Sequence, residues 1–314
     1  MKILIIILSS FGILNAAAAD NFVQLRTGVI LDPSSKSLVT MLPAGGIAAV
    51  DMATGHTKWS SSEADKPLII KNGQLLSQQK VNKKGVLALA YQSIETGDIK
   101  STMELTIPRD VMANIINGTG THFQITNNQL SSINQLHWSF RGKKVKGAVL
   151  ESDVLSRQGI NRNRAQQVIK QGTINLDFTN FQASTAEFTA QSTSTKAAIE
   201  KRVLADVAGR QFLSQNGMHV LASTKTDSNK VIKYNWQVYT LNGDLVGSFD
   251  AAYSYAPFVV EDNLMFIIEP ETGRLESGRL VKNDPLLKAI NLQTKLPVWQ
   301  VAVRSTQYFG QLPL

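Results

Sequence analysis

Two eleven-residue stretches, 240 residues apart, repeat one pattern, and that repeat constrains the fold more than any other feature of the chain. Residues 49–59 read Ala49-Val50-Asp51-Met52-Ala53-Thr54-Gly55-His56-Thr57-Lys58-Trp59. Residues 289–299 read Ala289-Ile290-Asn291-Leu292-Gln293-Thr294-Lys295-Leu296-Pro297-Val298-Trp299. Both give Ala, a β-branched residue, Asp or Asn, an apolar residue, Thr, a turn residue, and Trp at the ninth position after the strand-ending Ala-x pair. A pattern that returns at such distance marks a chain built from stacked supersecondary units. Weaker copies lie between. Tyr91 to Lys100 keeps Ile94, Thr96 and Gly97, with Ser101 in place of Trp; Asn175 to Thr185 keeps Leu176, Asp177 and Phe178 with a turn at Asn180; Val238 to Phe249 reads strand, Asn242-Gly243, strand; and Trp138 to Lys144 reads as a further strand with a turn at Arg141-Gly142.

Each copy has a mechanical reading. An apolar strand ends at Asp or Asn, whose side chain bonds amides of the following turn. Gly accepts the positive φ that the turn needs. The next strand carries a large aromatic that packs on a neighbouring unit. The turns centre near 55, 97, 142, 180, 243 and 294, a spacing that matches the roughly 40–50 residues of a four-stranded propeller blade. Other strands follow the same habit: Leu38–Met41, Ile47–Val50, Leu68–Ile70, Val86–Ala90, Phe258–Val260 and Leu264–Ile268, with Asn72-Gly73 between two of them. Short, frequent strands with turn residues between them predict an all-β, antiparallel domain. The expected fold is a β-propeller of four-stranded antiparallel blades over residues 20–314, with six blades, or seven. Closure should set the 287–303 blade beside the 22–59 blade, since an open ring exposes two edges. Helical signals are two: Pro108 to Asn117, and Lys196 to Ala208, where Ile199, Val203 and Val207 fall on one face between Thr195 and Gly209.

The two strong copies resemble the repeat of quinoprotein-like β-propellers, known as the pyrroloquinoline quinone (PQQ) repeat, of general form Ala-x-Asp-x-x-Thr-Gly-x-x-x-Trp. Residues 49–59 match it in full; residues 289–299 match with Asn291 for Asp and Lys295 for Gly. The resemblance implies the propeller fold and two kinds of member: PQQ-dependent dehydrogenases, which are longer and usually eight-bladed, and exported non-enzymatic propellers. Quinone chemistry in that family uses calcium, a catalytic Asp and often vicinal cysteines, and this chain has no cysteine. Asp51, Gly55, Trp59, Asp177, Asn291 and Trp299 are therefore read as structural members of the repeat. No cofactor is expected; PQQ with calcium is the alternative.

Other chemistry finds little support. Without cysteine there is no disulfide framework, zinc-thiolate site or thiol nucleophile. The four histidines, His56, His122, His137 and His219, are not at metal-ligand spacing. No Gly-x-Ser-x-Gly elbow or phosphate loop occurs. No catalytic residue is assigned.

The first nineteen residues read as a secretory leader: Lys2, an apolar Ile3–Leu14, and Ala17-Ala18-Ala19 before Asp20. The apolar run is too short to span a bilayer, so an exported, periplasmic or secreted monomer without a transmembrane segment is expected. The formal charge is +8. Much of it is local: from Arg141 to Lys170 eight cations, among them Arg141, Lys143, Lys144, Lys146, Arg157, Arg162 and Arg164, face only Glu151 and Asp153. Clustered Arg binds carboxylates, phosphates or anionic head groups. No aromatics interleave these residues, which disfavours nucleic acid. The sequence thus points to a non-catalytic binding or scaffold propeller whose partner is an envelope protein or anionic surface.

Overall fold

The computed structural model describes residues 22–26, 28–80, 86–106, 120–127, 135–143, 166–188, 203–228, 231–269, 273–276 and 279–304. They form strands only, in five large antiparallel sheets and one hairpin. Blade one is β1 (Val23–Arg26), β2 (Val29–Asp32), β3 (Ser37–Met41), β4 (Ile47–Asp51) and β5 (Thr57–Ser61). Blade two is β6 (Ala64–Lys71), β7 (Gln74–Gln79), β8 (Val86–Ser93) and β9 (Ile99–Thr106). Blade three is β10 (Gly120–Asn127), β11 (Gln135–Lys143), β12 (Gln166–Asp177) and β13 (Gln182–Phe188). Blade four is β14 (Arg210–Leu213), β15 (His219–Ser228), β16 (Val231–Thr240) and β17 (Leu245–Ala251). Blade five is β18 (Phe258–Glu261), β19 (Leu264–Glu269), β22 (Leu286–Asn291) and β23 (Pro297–Ala302); the hairpin β20 (Gly273–Glu276) and β21 (Arg279–Lys282) sits between β19 and β22.

Every blade pairs its strands in chain order, the meander of a propeller. Inner strands are apolar on both faces because neighbouring blades cover both. β2, β3 and β4 read VILD, SLVTM and IAAVD and are buried almost throughout. Outer strands alternate, as β9 does in IKSTMELT, with one face left to solvent. β1 is an addition to the four-stranded plan and pairs along the inner edge of β2.

The cores run between blades rather than within them. One joins blade one to blade two and to Ile174, Leu176 and Phe178 of blade three. A second joins β1–β4 to Val259, Phe266, Ile268 and Leu287 of blade five. A third joins Leu221, Trp236 and Val238 of blade four to blade five. Blades are thus packed in the series three, two, one, five, four. Blade five, with residues 286–302, lies beside blade one, as expected.

The described residues hold five blades where turn spacing predicts six. The difference arises at Arg141-Gly142. Both residues lie inside β11, Gly142 pairing with Gly120 and Gln167 across a bulged ladder, so one of the six expected turns is strand. The other five are the turns between the third and fourth strands of the five blades. The helix expected over 195–208 lies mostly outside the described residues, as does all of 108–117. Its described end, 203–208, runs as turns without helix. Gln211 holds it by accepting from the Val203 and Leu204 amides and donating to the Leu204 and Val207 carbonyls. The leader expected over residues 1–19 also lies outside the described residues, and no described helix is long and apolar enough to cross a membrane.

Candidate functional site

The repeat residues make joints between blades. In blade one the Asp51 carboxylate accepts from the Ala53 and Thr54 amides and the Thr54 hydroxyl. Burial is the largest single influence and opposes ionisation, but these donors and the Lys58 ammonium together outweigh it and hold its carboxyl below the usual range. Asn291 accepts from the amides of Gln293 and Thr294 in the same way. Asp177 accepts from Asn180 and Thr179, whose bonds lower its carboxyl as well. These side chains close their own turns.

The tryptophans cross to the next blade. Trp59 Nε1 donates to the Ile94 carbonyl of blade two at 2.8 Å, and Trp299 Nε1 donates to the Met52 carbonyl of blade one at 2.9 Å. Each acceptor is the residue after the turn's first position, Ser93 or Asp51. Each indole then covers the glycine four positions after it. A Cβ added at Gly97 would lie 2.7 Å from Trp59 Cδ2, and one at Gly55 would lie 2.6 Å from Trp299 Cγ.

This corrects the reading of the glycines. Gly55 and Gly97 have φ of 71° and 77°, but the equivalent Phe181 and Lys295 adopt 54° and 63° with full side chains. The turn therefore tolerates a Cβ; the arriving indole does not. At two joints where the preceding outer strand lacks Trp, the glycine is absent too. Trp59, Trp299, Ser101 and Gly247 occupy one register position, opposite Ala49, Ala289, Tyr91 and Val238, each beside a bulge. Ser101 precedes the turn with Phe181, and Gly247 precedes the turn with Lys295. At the first of these joints the aromatics are reversed: Tyr91 meets Phe178 and Phe181 edge-on at 5.2 and 5.5 Å, and its hydroxyl donates to the Gln182 carbonyl. At the second, the strand itself moves in, so that a Cβ on Gly247 would lie 2.6 Å from the Leu292 carbonyl oxygen.

The carboxylates and indole N–H groups of these motif residues are committed to turns and joints on separate blades. Among the described residues no three His, Asp or Glu side chains converge for a metal. His56 is exposed; burial pushes the His219 imidazole down, and its Nδ1 is buried without a hydrogen bond.

Antiparallel pairing gives the disc two unlike faces. One carries the tight turns, between first and second and between third and fourth strands. The other carries the remaining connections, with the hairpin β20–β21 and the segment 144–165 among them. The joints described above align these faces from blade to blade. The sequence of the connections on the loop-bearing face holds sixteen Lys and Arg against nine Asp and Glu; the turn face holds two against four. Arg141 and Lys143 lie at the loop-face end of β11. Lys144, Lys146, Arg157, Arg162 and Arg164 fall in 144–165, outside the described residues.

A charged cluster that periodicity did not reveal lies at the loop-face end of the inner strands. Arg304, just past β23, donates to the Asp65 carboxylate at 2.7 Å and to the Asp65 carbonyl at 2.6 Å, while its own amide donates to the Met41 carbonyl. Blade five is thereby tied to blades one and two. Beside it, Lys66 is buried in β6, which bulges on either side of it. Burial lowers its ammonium from the usual 10.5 to about 8, against the pull of Asp65.

No family model matches the sequence, and no curated protein does. Solved structures do resemble the fold. A europium-containing methanol dehydrogenase shares 11% identity over 85% of this chain and 67% of its own, with a TM-score of 0.24. A Kuenenia stuttgartiensis hydrazine synthase shares 7% over 88% and 80%, with a TM-score of 0.28. A β-propeller domain from Myceliophteria thermophila shares 10% over 90% and 88%, also at 0.28. The blade assignment rests on the strand pairing and not on these scores.

Proposed function

We propose that this chain is an exported, non-catalytic propeller that binds an anionic partner at the bacterial envelope, through the face that carries the long connections. The observation that supports this reading most is the segregation of charge: the cationic excess belongs to one face, while the turn face is slightly acidic. Such a field steers anionic partners to one side of the disc. The propeller supplies the frame, in which indole and Arg304 contacts lock blades five, one and two together, and the segment 141–164 supplies Arg141, Lys143, Lys144, Lys146, Arg157, Arg162 and Arg164. The partner class is an acidic envelope protein or the anionic membrane surface. The leader carries the export expectation, with the periplasm as destination.

The test is reversal of Arg157, Arg162 and Arg164 to Glu. Binding is read by co-sedimentation with phosphatidylcholine vesicles containing one third phosphatidylglycerol, and by crosslinking in envelope extract. The expected result is loss of both signals with an unchanged thermal midpoint. Retention of both would remove this face from consideration.

A further inference from the structure

We infer that β1 is a clasp, which locks blade five onto blade one from the inner side of the ring. Each of the five blades is built from strands of one continuous stretch of chain. Among the described strands none is shared across the seam where blade five meets blade one, so backbone pairing between the chain's two ends does not seal it. Three contacts cross this seam away from the axis. Trp299 reaches the Met52 carbonyl from the outer strand β23, Lys36 pairs with Asp262 at the turn face, and the Arg304 amide meets the Met41 carbonyl at the loop face. β1 supplies the fourth side.

The placement follows from pairing and burial. β2 is the first, innermost strand of blade one, and β1 takes its inner edge, with Val23 opposite Leu31, Gln24 opposite Ile30 and Arg26 opposite Val29. β1 also lies against β18 and β19 of blade five. Val23 and Leu25 are buried in the core shared with Val259, Phe266 and Ile268 of that blade, and Leu25 is 1% exposed. Gln24 and Arg26 alternate with them and are half-buried. Phe22, just before β1, belongs to the core that joins blade one to blade two. The short apolar stretch thus serves both joints of blade one. Its far end is fixed as well: Met41 covers Gly28, where a Cβ would lie 1.8 Å from Met41 Cε.

Two consequences follow. Half of the clasp's seat, in β18 and β19, comes from the opposite end of the chain, so β1 docks fully only once blade five has formed. Without β1 the inner edge of β2 and the apolar flank of blade five form a slot for one extended apolar strand, because an unpaired edge presents free N–H and C=O groups. The occupant of that slot is this chain's own residues 22–26.

The test is amide hydrogen exchange, read by mass spectrometry blade by blade, in the protein and its Leu25→Ala variant. Exchange in β2 and β18 should speed up about tenfold or more, while β7 and β8 at the centre of blade two and β15 and β16 of blade four keep their rates. Gln24→Ala, at a half-buried position, should change neither. In a chain lacking residues 1–28, a synthetic peptide of residues 20–28 should restore protection of β2 and β18 saturably, and the same peptide with Leu25→Ala should not. Unchanged exchange in Leu25→Ala overturns the inference. So does equal acceleration in every blade or complete unfolding, which would make β1 part of the general core rather than a clasp. A truncated chain that folds but ignores the peptide overturns it too; if the truncated chain does not fold, the Leu25→Ala pattern decides.

Discussion

Replacing Gly97 with Ala tests the indole joint at a single methyl group. Gly97 and Gly73 share a left-handed backbone, with φ of 77° and 69°. Alanine at either therefore carries a similar backbone cost, about 1–2 kcal/mol. The surroundings differ. A Cβ at Gly73 meets nothing within 4 Å, whereas one at Gly97 falls 2.7 Å from Trp59 Cδ2 and Cε3 and 3.1 Å from Cγ. Trp59 is 9% exposed and tethered to the Ile94 carbonyl, so it cannot swing aside freely. Expelling the ring forfeits much of what a Trp→Ala change costs, about 3–5 kcal/mol. Opening the joint to fit the methyl costs about 1–3 kcal/mol. The cheaper route decides, giving a total of about 2–5 kcal/mol for Gly97→Ala against about 1–2 for Gly73→Ala. In a Trp59→Ala background the excess at Gly97 should vanish, a coupling of roughly 1–3 kcal/mol between the two sites. Urea unfolding followed by far-ultraviolet circular dichroism measures all four variants. Equal costs at Gly97 and Gly73, or a Gly97 cost untouched by Trp59→Ala, would refute the steric reasoning.

Three further outcomes follow from the cluster near the inner strands and from the 203–208 segment. Lys66 is disfavoured as a cation in the folded chain, so its cost is fully present below pH 8 and is relieved as pH rises from about 8 towards 10.5. Lys66→Met should stabilise at pH 7, by about 3 kcal/mol at most, and the gain over wild type should shrink across that window in urea titrations. Arg304→Lys cannot reproduce the two-point contact with Asp65 and should cost about 1–3 kcal/mol in the same assay. Gln211→Leu removes four bonds to residues 203–207; limited proteolysis should speed up within 203–209 while the global midpoint moves little.

Much of the fold is written in local chemistry. Asp51, Asn291 and Asp177 are short acceptors placed where three turns need their amides satisfied, and Trp59 and Trp299 repeat at the same register. Both signals are short-range, so the strands around them and the meander could be read without coordinates. The count of blades could not. Arg141-Gly142 has turn composition but lies in a long, bulged ladder, because pairing with β10 and β12 outweighs local preference. The purpose of Gly55 and Gly97 was equally hidden. Composition alone cannot separate a glycine needed for φ from one needed by an indole that arrives from the preceding blade. Only Phe181 and Lys295, at the same turn position and the same sign of φ, make the distinction. The Tyr91–Phe178–Phe181 joint and the Arg304–Asp65 tie join residues far apart in sequence and leave no periodic trace.

If the Asp–Gly–Trp repeat joins blades rather than holding a quinone, the direct measurement is a thermal-unfolding scan of the protein with and without calcium plus PQQ. A ligand at a hundred times its dissociation constant stabilises by about 2.7 kcal/mol, enough to raise the midpoint visibly. The expected result is an unchanged midpoint, in wild type and in Trp59→Ala and Trp299→Ala alike. A saturable rise with PQQ that either Trp substitution abolishes would contradict it and make the repeat a cofactor site.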